Sequence, residues 1–332
     1  MQADRRPPLA QVAVVAIGRN EGERLRACLR SVVDTAALVV YVDSGSTDDS
    51  VAMARGLGAE VLTLDLSVPF TAARARNTGW RHVRQRAPEV TLVQFVDGDC
   101  AVVDGWLQRA ADFLVSHPDA AAVCGRRRER HPERSIYNQL CDMEWDAPVG
   151  ETRACGGDVM MRVAAIEAVG GYRDSLIAGE EPELCVRLRA AGWRVWRLAD
   201  EMTAHDAAMT RISQWWKRSM RAGFTFAEGA HLHGAPPERH RVRESRRAWI
   251  WGLGIPLVAI LAALVVGPWA LLLLALYPLQ VLRLYFSFGG APRLRAWRAL
   301  FMVLGKFAEA CGQLKFLALR LSGAQARLIE YK

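Results

Sequence analysis

Short apolar runs alternate with helical patterns through the first third of the chain. Four runs rich in aliphatic residues, at positions 12–17, 38–42, 60–64 and 91–96, predict buried strands. Between them, residues 23–33, 49–57 and 71–86 have the spacing of amphipathic helices. This alternation predicts an α/β fold with a mainly parallel sheet, in which ligands bind at the carboxyl ends of the strands.

The pattern is less regular after residue 100. It predicts helices over 104–116, 164–169, 180–191 and 214–227, and strands over 156–161 and 195–198. Residues 124–155 are rich in Arg, Glu and Cys, and we expect them to be irregular. The first apolar run is too short for the core of a signal peptide, so it is interpreted as a strand.

The last third of the chain contains one long uncharged segment, residues 248–282. A single helix of this length would span about 50 Å, whereas the hydrocarbon core of a membrane is about 30 Å thick. Two short membrane spans broken at Gly267-Pro268 therefore fit better. A single tilted span, a hairpin that does not cross, and a buried helical pair in a soluble core are the alternatives.

Charge is distributed unevenly along the chain. Residues 236–332 carry 14 Lys and Arg against 4 Asp and Glu, whereas residues 1–235 carry 29 against 31. Basic clusters beside an apolar run indicate a membrane surface and not a nucleic acid. Because basic flanks stay on the cytoplasmic side, we expect attachment to the inner (cytoplasmic) membrane with the rest of the chain facing the cytoplasm.

These patterns divide the chain into four parts. We expect a catalytic α/β domain over 1–235, a basic linker over 236–247, an apolar helical hairpin over 248–288, and an amphipathic C-terminal helix over 289–332. The last of these lies either in the membrane interface or against the catalytic domain. Its predicted apolar face comprises Trp297, Leu300, Phe301, Leu304, Phe307, Cys311, Leu314, Ala318 and Leu321, with Arg295, Arg298, Lys306 and Glu309 opposite.

Polar clusters follow three of the predicted strands. The most informative is Asp97-Gly98-Asp99, because two carboxylates flanking a glycine after a buried strand can converge on a hard cation, and that cation can bind a diphosphate. Seven scattered cysteines without a paired motif argue against a disulfide framework or a zinc site and fit a reducing compartment.

Five segments in order resemble glycosyltransferase family 2, whose members have the GT-A fold, a Rossmann-like α/β domain. Four lie in the first hundred residues: the strand and turn ending Asn20-Glu21, Asp43 followed by Ser44-Gly45-Ser46-Thr47-Asp48, Ala75-Arg76-Asn77-Thr78-Gly79, and the strand ending Asp97-Gly98-Asp99. The fifth is Gly170-Gly171-Tyr172 followed by Gly179-Glu180-Glu181-Pro182-Glu183-Leu184. The resemblance covers residues 10–210.

The resemblance implies a site for a nucleotide-diphosphate sugar, with UDP as the commonest nucleotide. Asp43 would bind the base or ribose, and Arg76 would approach the base or the diphosphate. A turn-capping Asp43 and a surface Arg76 are the alternatives. The full set of implied donor-binding residues is Arg19, Asn20, Glu21, Asp43, Ser44, Arg76, Asn77 and Asp97.

The resemblance also implies Mg²⁺ or Mn²⁺ held by Asp97 and Asp99, with His205 as a further candidate ligand or, alternatively, a surface residue. Family members invert the anomeric carbon, so a carboxylate must deprotonate the acceptor hydroxyl. Glu181 occupies the position of the family's usual Asp, and Glu180 competes for that role. The alternative for this pair is an acidic helix N-terminus without a catalytic role.

Candidates for acceptor contacts are Asp158, Trp215 and Trp216. A helix cap is the alternative for Asp158, and packing is the alternative for the tryptophans. The segment from Gln214 to Arg218 departs from the motif of processive polysaccharide synthases, because the tryptophan is not at its fifth position.

The expected activity is metal-dependent, inverting sugar transfer to a lipid or lipid-linked hydroxyl or phosphate, in polysaccharide or glycolipid synthesis. The alternatives are a nucleotidyltransferase on a related fold and a non-catalytic membrane scaffold that binds carbohydrate.

Overall fold

The computed structural model describes residues 9–323, so positions 1–8 of the predicted catalytic domain and 324–332 of the predicted C-terminal helix lie outside the described residues. Two units divide the chain, the first ending at Ala208 and the second beginning at Met209. The boundary predicted after residue 235 differs from this division. The reason is that a long helix over Ile212–His233 packs within the second unit.

The first half of the first unit follows the predicted alternation. Strands β1 (Leu9–Gly18), β2 (Ala36–Asp43), β3 (Glu60–Thr63) and β4 (Leu92–Asp97) alternate with helices α1 (Glu23–Arg30), α2 (Ser50–Gly56) and α3 (Ala72–Arg86). Residues 12–16 of β1 are at most 1% exposed, as expected for a parallel strand covered on both faces. The predicted elements in this region are confirmed.

The second half of the first unit holds five strands of uneven length and four α-helices. In chain order these are β5 (Cys100–Val102), α4 (Trp106–Ser116), β6 (Ala120–Glu129), α5 (Ile136–Trp145), β7 (Gly150–Glu151), β8 (Val159–Arg162), α6 (Val163–Ala168), α7 (Glu180–Ala190) and β9 (Arg194–His205).

Within the described residues these strands form one nine-stranded sheet of order β3-β2-β1-β4-β8-β6-β9-β5, with β7 also paired to β9. Strands β1 to β4 run parallel, whereas β8 is antiparallel to both β4 and β6. The register pairs Gly18 with Asp43 and Ile17 with Asp97. The carboxyl ends of β1, β2 and β4 therefore meet at one edge of the sheet.

Two expectations about this half are wrong. Residues 124–155 are not irregular, because they contain most of β6, helix α5 and strand β7. The strand predicted over 195–198 is the start of the twelve-residue β9, which reaches His205. Both errors arise where arginines and acids occupy strand positions and pair with one another, so the apolar signal of a strand is missing.

The second unit is helical. Its helices are α8 (Ile212–His233), α9 (Val242–Trp249), α10 (Ile255–Val266), α11 (Leu276–Ser287) and α12 (Pro292–Ser322), and a π-helical turn (Ile250–Gly254) joins α9 to α10. A 3₁₀ segment, Pro268–Ala275, follows the break at Gly267. The predicted linker is therefore helical from Val242 onward.

Glycines allow the helices of this unit to approach closely. A Cβ on Gly223 of α8 would lie 2.0 Å from the Glu309 carbonyl oxygen, and one on Gly312 of α12 would lie 1.9 Å from the Met220 carbonyl oxygen. Helix α12 consequently buries a face of small residues together with Phe301 and Phe316. The predicted apolar face of α12 is therefore only partly correct, since Leu314 and Leu321 are exposed.

The apolar hairpin is exposed within the structure. Val242–Val266 and Pro268–Ser287 are both long and apolar enough to cross a membrane, and almost none of their apolar surface is buried. Val265 is 83% exposed and Trp269 78%. This exposure disfavours the alternative of a buried helical pair in a soluble core.

Candidate active site

The two carboxylates of the Asp97-Gly98-Asp99 turn contact different residues. Gly98 permits the turn: its N–H donates to the Ile17 carbonyl at 2.8 Å, and a Cβ there would lie 3.0 Å from the same oxygen. Asp97 ends β4 and faces two arginines, whereas Asp99 leads into β5 and faces His205. The two acids of the motif are therefore not equivalent.

Asp99 and His205 form a buried pair at the junction of β5 and β9. The antiparallel register places Cys100 opposite His205, and Asp99 Oδ2 lies 3.2 Å from His205 Nε2. Both residues are 6% exposed. The edge of the Trp145 ring packs against the imidazole, with the ring centroids 4.8 Å apart.

This pair suits a divalent cation. Burial lowers the pKa of His205 and so favours the neutral imidazole, which is the form that binds metal ions. Adjacent ligands of an octahedral ion at about 2.1 Å lie about 3 Å apart, which matches the separation of Asp99 Oδ2 and His205 Nε2. The side chains of Asp99, Cys100 and His205 bring their ligand atoms within 4.8 Å of one another.

Arg76 joins the Asp97-Gly98-Asp99 turn to the acidic N-terminus of helix α7. This side chain of α3 is 2% exposed. Its Nη2 contacts Asp97 Oδ1 at 2.7 Å, and its Nη1 contacts Glu180 Oε1 at 2.6 Å and Glu181 Oε1 at 2.9 Å. The expectation of a surface arginine is wrong, and in this structure Arg76 binds carboxylates where the resemblance implied a base or diphosphate.

Glu180 and Glu181 begin helix α7, where the helix dipole favours negative charge. The Glu181 side chain is 12% exposed and that of Glu180 is 4% exposed. Burial raises the pKa of Glu181 to about 7, and the Glu180 charge adds to this effect while Arg76 opposes it. Glu181 is the more accessible carboxylate, and its pKa suits proton transfer near neutrality.

The loops after β1 and β2 are tied together by hydrogen bonds. Asn20, at φ 55°, accepts from the Thr47 N–H at 2.7 Å through its side chain, and the Ser44 N–H donates to the Gly18 carbonyl at 3.0 Å. Asp43 is 1% exposed and accepts from the backbone N–H groups of Gly45 and Ser46, each at 2.9 Å. The structure thus shows Asp43 capping the turn.

Two other predicted donor residues lie on the same edge of the sheet. Arg19 stacks over the ring of Phe70, with 5.0 Å from its guanidinium carbon to the ring centroid. Glu21 pairs with Arg24 at 2.8 Å. Neither contact reaches the Asp43 turn, and the loop after β1 is held beside that turn by the Asn20 hydrogen bonds with Ser46 and Thr47.

Asn77 fixes the Gly170-Gly171-Tyr172 turn to α3. Its amide donates to the Tyr172 carbonyl and to Asp174 Oδ1, and its oxygen accepts from Trp80 Nε1 and the Tyr172 N–H, all between 2.6 and 2.9 Å. Every donor and acceptor position of the amide is used within the protein. The structure therefore gives Asn77 a structural role, and the donor-binding role expected of it stays a prediction.

Asp158 is a structural partner of the Asp97-Gly98-Asp99 turn. Its side chain is fully buried; Oδ1 accepts from the Asp97 N–H at 3.0 Å, and Oδ2 accepts from Thr203 Oγ1 at 2.6 Å. These bonds tie β8 to β4 and β9 and are not a helix cap, and the acceptor contact expected of Asp158 stays a prediction.

Arg127 is a site residue that the sequence analysis missed. From β6 its Nη2 lies 2.9 Å from Asp158 Oδ2 and 3.2 Å from Asp97 Oδ2. The aliphatic run over 120–123 was the available signal for a strand, but the arginines that follow it concealed the continuation of β6.

The two tryptophans belong to the second unit. Trp215 is buried there and packs on Phe301, with ring centroids 4.7 Å apart, whereas Trp216 is 37% exposed. Packing accounts for Trp215, and a role in acceptor contact stays a prediction for Trp216.

Comparisons with known proteins concern the family and the fold. Residues 13–163 match the family described as Glycosyl transferase family 2. The succinoglycan biosynthesis protein ExoA of Rhizobium meliloti is 27% identical over 193 residues, covering 53% of this chain and 57% of that protein. A pre-mycofactocin glycosyltransferase of Mycobacterium tuberculosis is 29% identical over 251 residues, covering 70% of this chain and 51% of that protein.

Among solved structures, the mannosyltransferase PcManGT of Pyrobaculum calidifontis, in complex with GDP-Man and Mn²⁺, is similar over 94% of this chain and 90% of its own. The TM-score is 0.61 at 19% identity, and this likeness supports the predicted fold. The chain spans about half to two thirds of the length of the curated relatives that it matches.

Proposed function

We propose a mechanism for this chain, which belongs to glycosyltransferase family 2 and has the GT-A fold: it transfers a sugar from a nucleotide-diphosphate donor with inversion, using a divalent cation and Glu181 as the base. The observation that carries the proposal is the Arg76 bridge. One buried guanidinium contacts both Asp97, at the start of the Asp97-Gly98-Asp99 turn, and the Glu180–Glu181 pair. Arg76 thereby links the turn that carries Asp99 to the carboxylate proposed as the base.

Asp99 and His205 would hold Mg²⁺ or Mn²⁺, which neutralises the charge that develops on the departing nucleoside diphosphate. Glu181 accepts the proton of the acceptor hydroxyl. The acceptor oxygen then bonds to the anomeric carbon as the bond from that carbon to the diphosphate oxygen breaks, and the electron pair leaves with the nucleoside diphosphate. A carboxylate with a pKa of about 7 suits this proton transfer.

The donor nucleotide is placed at the edge formed by β1 and β2. Arg19, Glu21 and the Asp43-Ser44 turn line this edge, and the aligned strand ends bring them beside Asp97. UDP is the expected nucleotide, but the similar mannosyltransferase structure contains GDP-Man. A donor panel should therefore include both uridine and guanosine sugars.

We further propose that the apolar hairpin attaches the enzyme to the cytoplasmic membrane and that the acceptor is a lipid or a lipid-linked sugar. The support is the exposed apolar surface of Val242–Val266 and Pro268–Ser287. Arginines at positions 246, 247, 283, 293 and 295 lie on both sides of the uncharged run 248–282 within this region. Basic flanks favour the cytoplasmic side. The relative in succinoglycan synthesis is consistent with a polysaccharide or glycolipid product.

Transfer from labelled UDP-, GDP- and dTDP-sugars to extracted membrane lipids tests the proposal, with the full chain reconstituted in nanodiscs. We expect a labelled lipid product whose formation EDTA abolishes and Mn²⁺ or Mg²⁺ restores, and we expect Asp99→Asn to abolish it. Transfer that is unaffected by EDTA would refute the metal role. A Mn²⁺-binding chain that labels no lipid with any donor would refute the lipid acceptor and favour a scaffold.

A further inference from the structure

A second cluster with metal-ligand chemistry lies beside the Asp99–His205 pair. The ligand atoms of Asp97, Cys100 and Asp158 lie within 4.8 Å of one another. Two carboxylates at this separation are suited to a divalent cation. By its donor atoms, the cluster would compete with Asp99 and His205 for the same ion.

Arg127 already neutralises this second cluster. Its Nη2 contacts Asp158 Oδ2 at 2.9 Å and Asp97 Oδ2 at 3.2 Å, so one nitrogen lies against both carboxylates. The side chain is 17% exposed, and its guanidinium lies 5.5 Å from the centroid of the Trp145 ring. Arg127 therefore puts a fixed positive charge where a cation bridging the two carboxylates would sit.

The carboxylate pair is held by contacts that do not involve Arg127. Asp158 accepts from the Asp97 N–H and from Thr203 Oγ1, and Arg76 holds the other oxygen of Asp97. Removing Arg127 would consequently leave two anchored carboxylates without the charge between them. Anchored carboxylates of this kind form a preorganised cation site.

We infer that Arg127 is a positioning residue that confines the divalent cation to Asp99 and His205, because its guanidinium fills the Asp97–Asp158 carboxylate pair. The inference rests on the proposed cation site. A dication and a guanidinium cannot occupy the same carboxylate pair, since both need the same oxygens and repel each other. Arg127 thus decides which acid of the Asp97-Gly98-Asp99 turn binds the metal.

Mn²⁺ binding tests the inference without requiring turnover. Titration of the full chain with MnCl₂ is followed by calorimetry and by the electron paramagnetic resonance signal of free Mn²⁺. We expect one ion per chain for the wild type and an at least hundredfold loss of affinity for His205→Ala. In the Arg127→Met background, His205→Ala should still bind one ion, because the Asp97–Asp158 pair becomes available.

Three variants serve as controls. Arg127→Lys keeps the charge, and Arg128→Met removes the neighbouring arginine, which instead pairs with Asp142 and Glu201. With His205→Ala, both should bind no ion. Adding Asp158→Asn to the Arg127→Met/His205→Ala chain should abolish binding again. If Arg127→Met fails to fold, Arg127→Gln removes the charge and keeps a donor toward Asp158.

The inference is overturned if folded chains carrying Arg127→Met/His205→Ala or Arg127→Gln/His205→Ala bind no Mn²⁺ while the wild type binds one ion. It is also overturned if Arg128→Met rescues His205→Ala equally well. A wild type that binds no Mn²⁺ would instead refute the cation site of the proposed function. The two failures are therefore distinguishable.

Discussion

Replacing Arg76 by methionine tests how the protein holds its base near neutrality. The guanidinium lies 2.9 Å from Glu181 and 2.6 Å from Glu180, and it is buried with them. Methionine has a similar apolar stem but carries no charge. Burial and the Glu180 carboxylate then act on Glu181 without the opposing cation, so the pKa of Glu181 must rise.

The size of the effect follows from the contact. An arginine within about 4–6 Å lowers a carboxyl pKa by about 1–3. Loss of Arg76 therefore raises the pKa of Glu181 from about 7 to about 9, equivalent to about 2.7 kcal/mol. At pH 7 the ionised fraction of Glu181 falls from about one half to about one hundredth, so the transfer rate should fall about 50-fold if Glu181 is the base.

The assay is the pH dependence of kcat/KM for sugar transfer between pH 6 and 10. The acid limb, where activity rises as the base loses its proton, should move from about pH 7 to about pH 9 in Arg76→Met. Arg76→Lys keeps a positive charge and should keep the limb near 7. Arg84→Met, on the exposed side of α3 and paired with Glu167, is the matched control and should leave it unchanged.

A folded Arg76→Met enzyme with an unmoved acid limb would refute this reasoning, because the limb would then not report the carboxylate that Arg76 contacts. Equal losses of activity at pH 7 and pH 9 would also refute it. Circular dichroism and thermal unfolding separate both results from misfolding, since leaving buried carboxylates unpaired can cost about 3–5 kcal/mol.

Three further predictions concern packing and attachment. Gly79→Ala should destabilise the protein by about 1–3 kcal/mol in thermal unfolding, because the new methyl group would lie 2.3 Å from Val15 Cγ1, whereas Gly56→Ala on α2 meets nothing within 4 Å and should cost nothing. Gly312→Val should separate α8 from α12, because its Cβ would lie 1.9 Å from the Met220 carbonyl oxygen. Limited proteolysis should then cleave α12. The control Cys311→Val, at an exposed position, should leave α12 resistant. Replacing Leu264, Val265 and Val266 by aspartate should abolish flotation of the protein with lipid vesicles, because placing each aspartate in the membrane costs about 2.5–3.5 kcal/mol. The control is Val115→Asp, at an exposed position of α4. Equal flotation of this variant and of the control would contradict membrane insertion.

Sequence reasoning succeeds where one physical signal dominates. The parallel strands β1, β2 and β4 contain nearly continuous aliphatic runs because both of their faces are buried, so their existence and their order along the chain follow from the sequence. The break at Gly267-Pro268 is also predicted by the sequence, because glycine followed by proline is typical of a helix end. In the structure α10 ends there, with Gly267 at φ 106°. Strand ends carrying acids then identify the edge of the sheet where the site lies.

The strands in the second half of the sheet lack a continuous aliphatic pattern. In β6 and β9, arginines and acids occupy strand positions and neutralise one another across the sheet, as Arg128 does with Glu201. Charge pairing between residues about 70 positions apart leaves no local pattern, so the sequence does not predict the continuation of β6 or the place of Arg127 in the site. The packing of α8 on α12 is equally hidden from the sequence, because it depends on glycines distant from one another along the chain.

The candidate site was also predicted only in part: most of its residues could be named from the sequence, but their contacts could not. Residue types singled out Asp97 and Asp99, and the family resemblance added His205 and Glu181; the structure brings Asp99 to His205 and links Asp97 to Glu181 through Arg76. What each side chain contacts could not be predicted. Asn77 lies in the same motif as Arg76, but it faces the turn at Tyr172, because successive residues of a helix point about 100° apart.

The most direct test of the central claim is the single-turnover rate of sugar transfer by Glu181→Gln with saturating donor and Mn²⁺. Glutamine preserves the shape of the side chain and removes its ability to accept a proton. The account predicts that the rate falls by about 10²–10⁴ while Mn²⁺-dependent donor binding is retained, because the cation site at Asp99 and His205 is intact. A Glu181→Gln enzyme that transfers sugar at the wild-type rate would contradict the account.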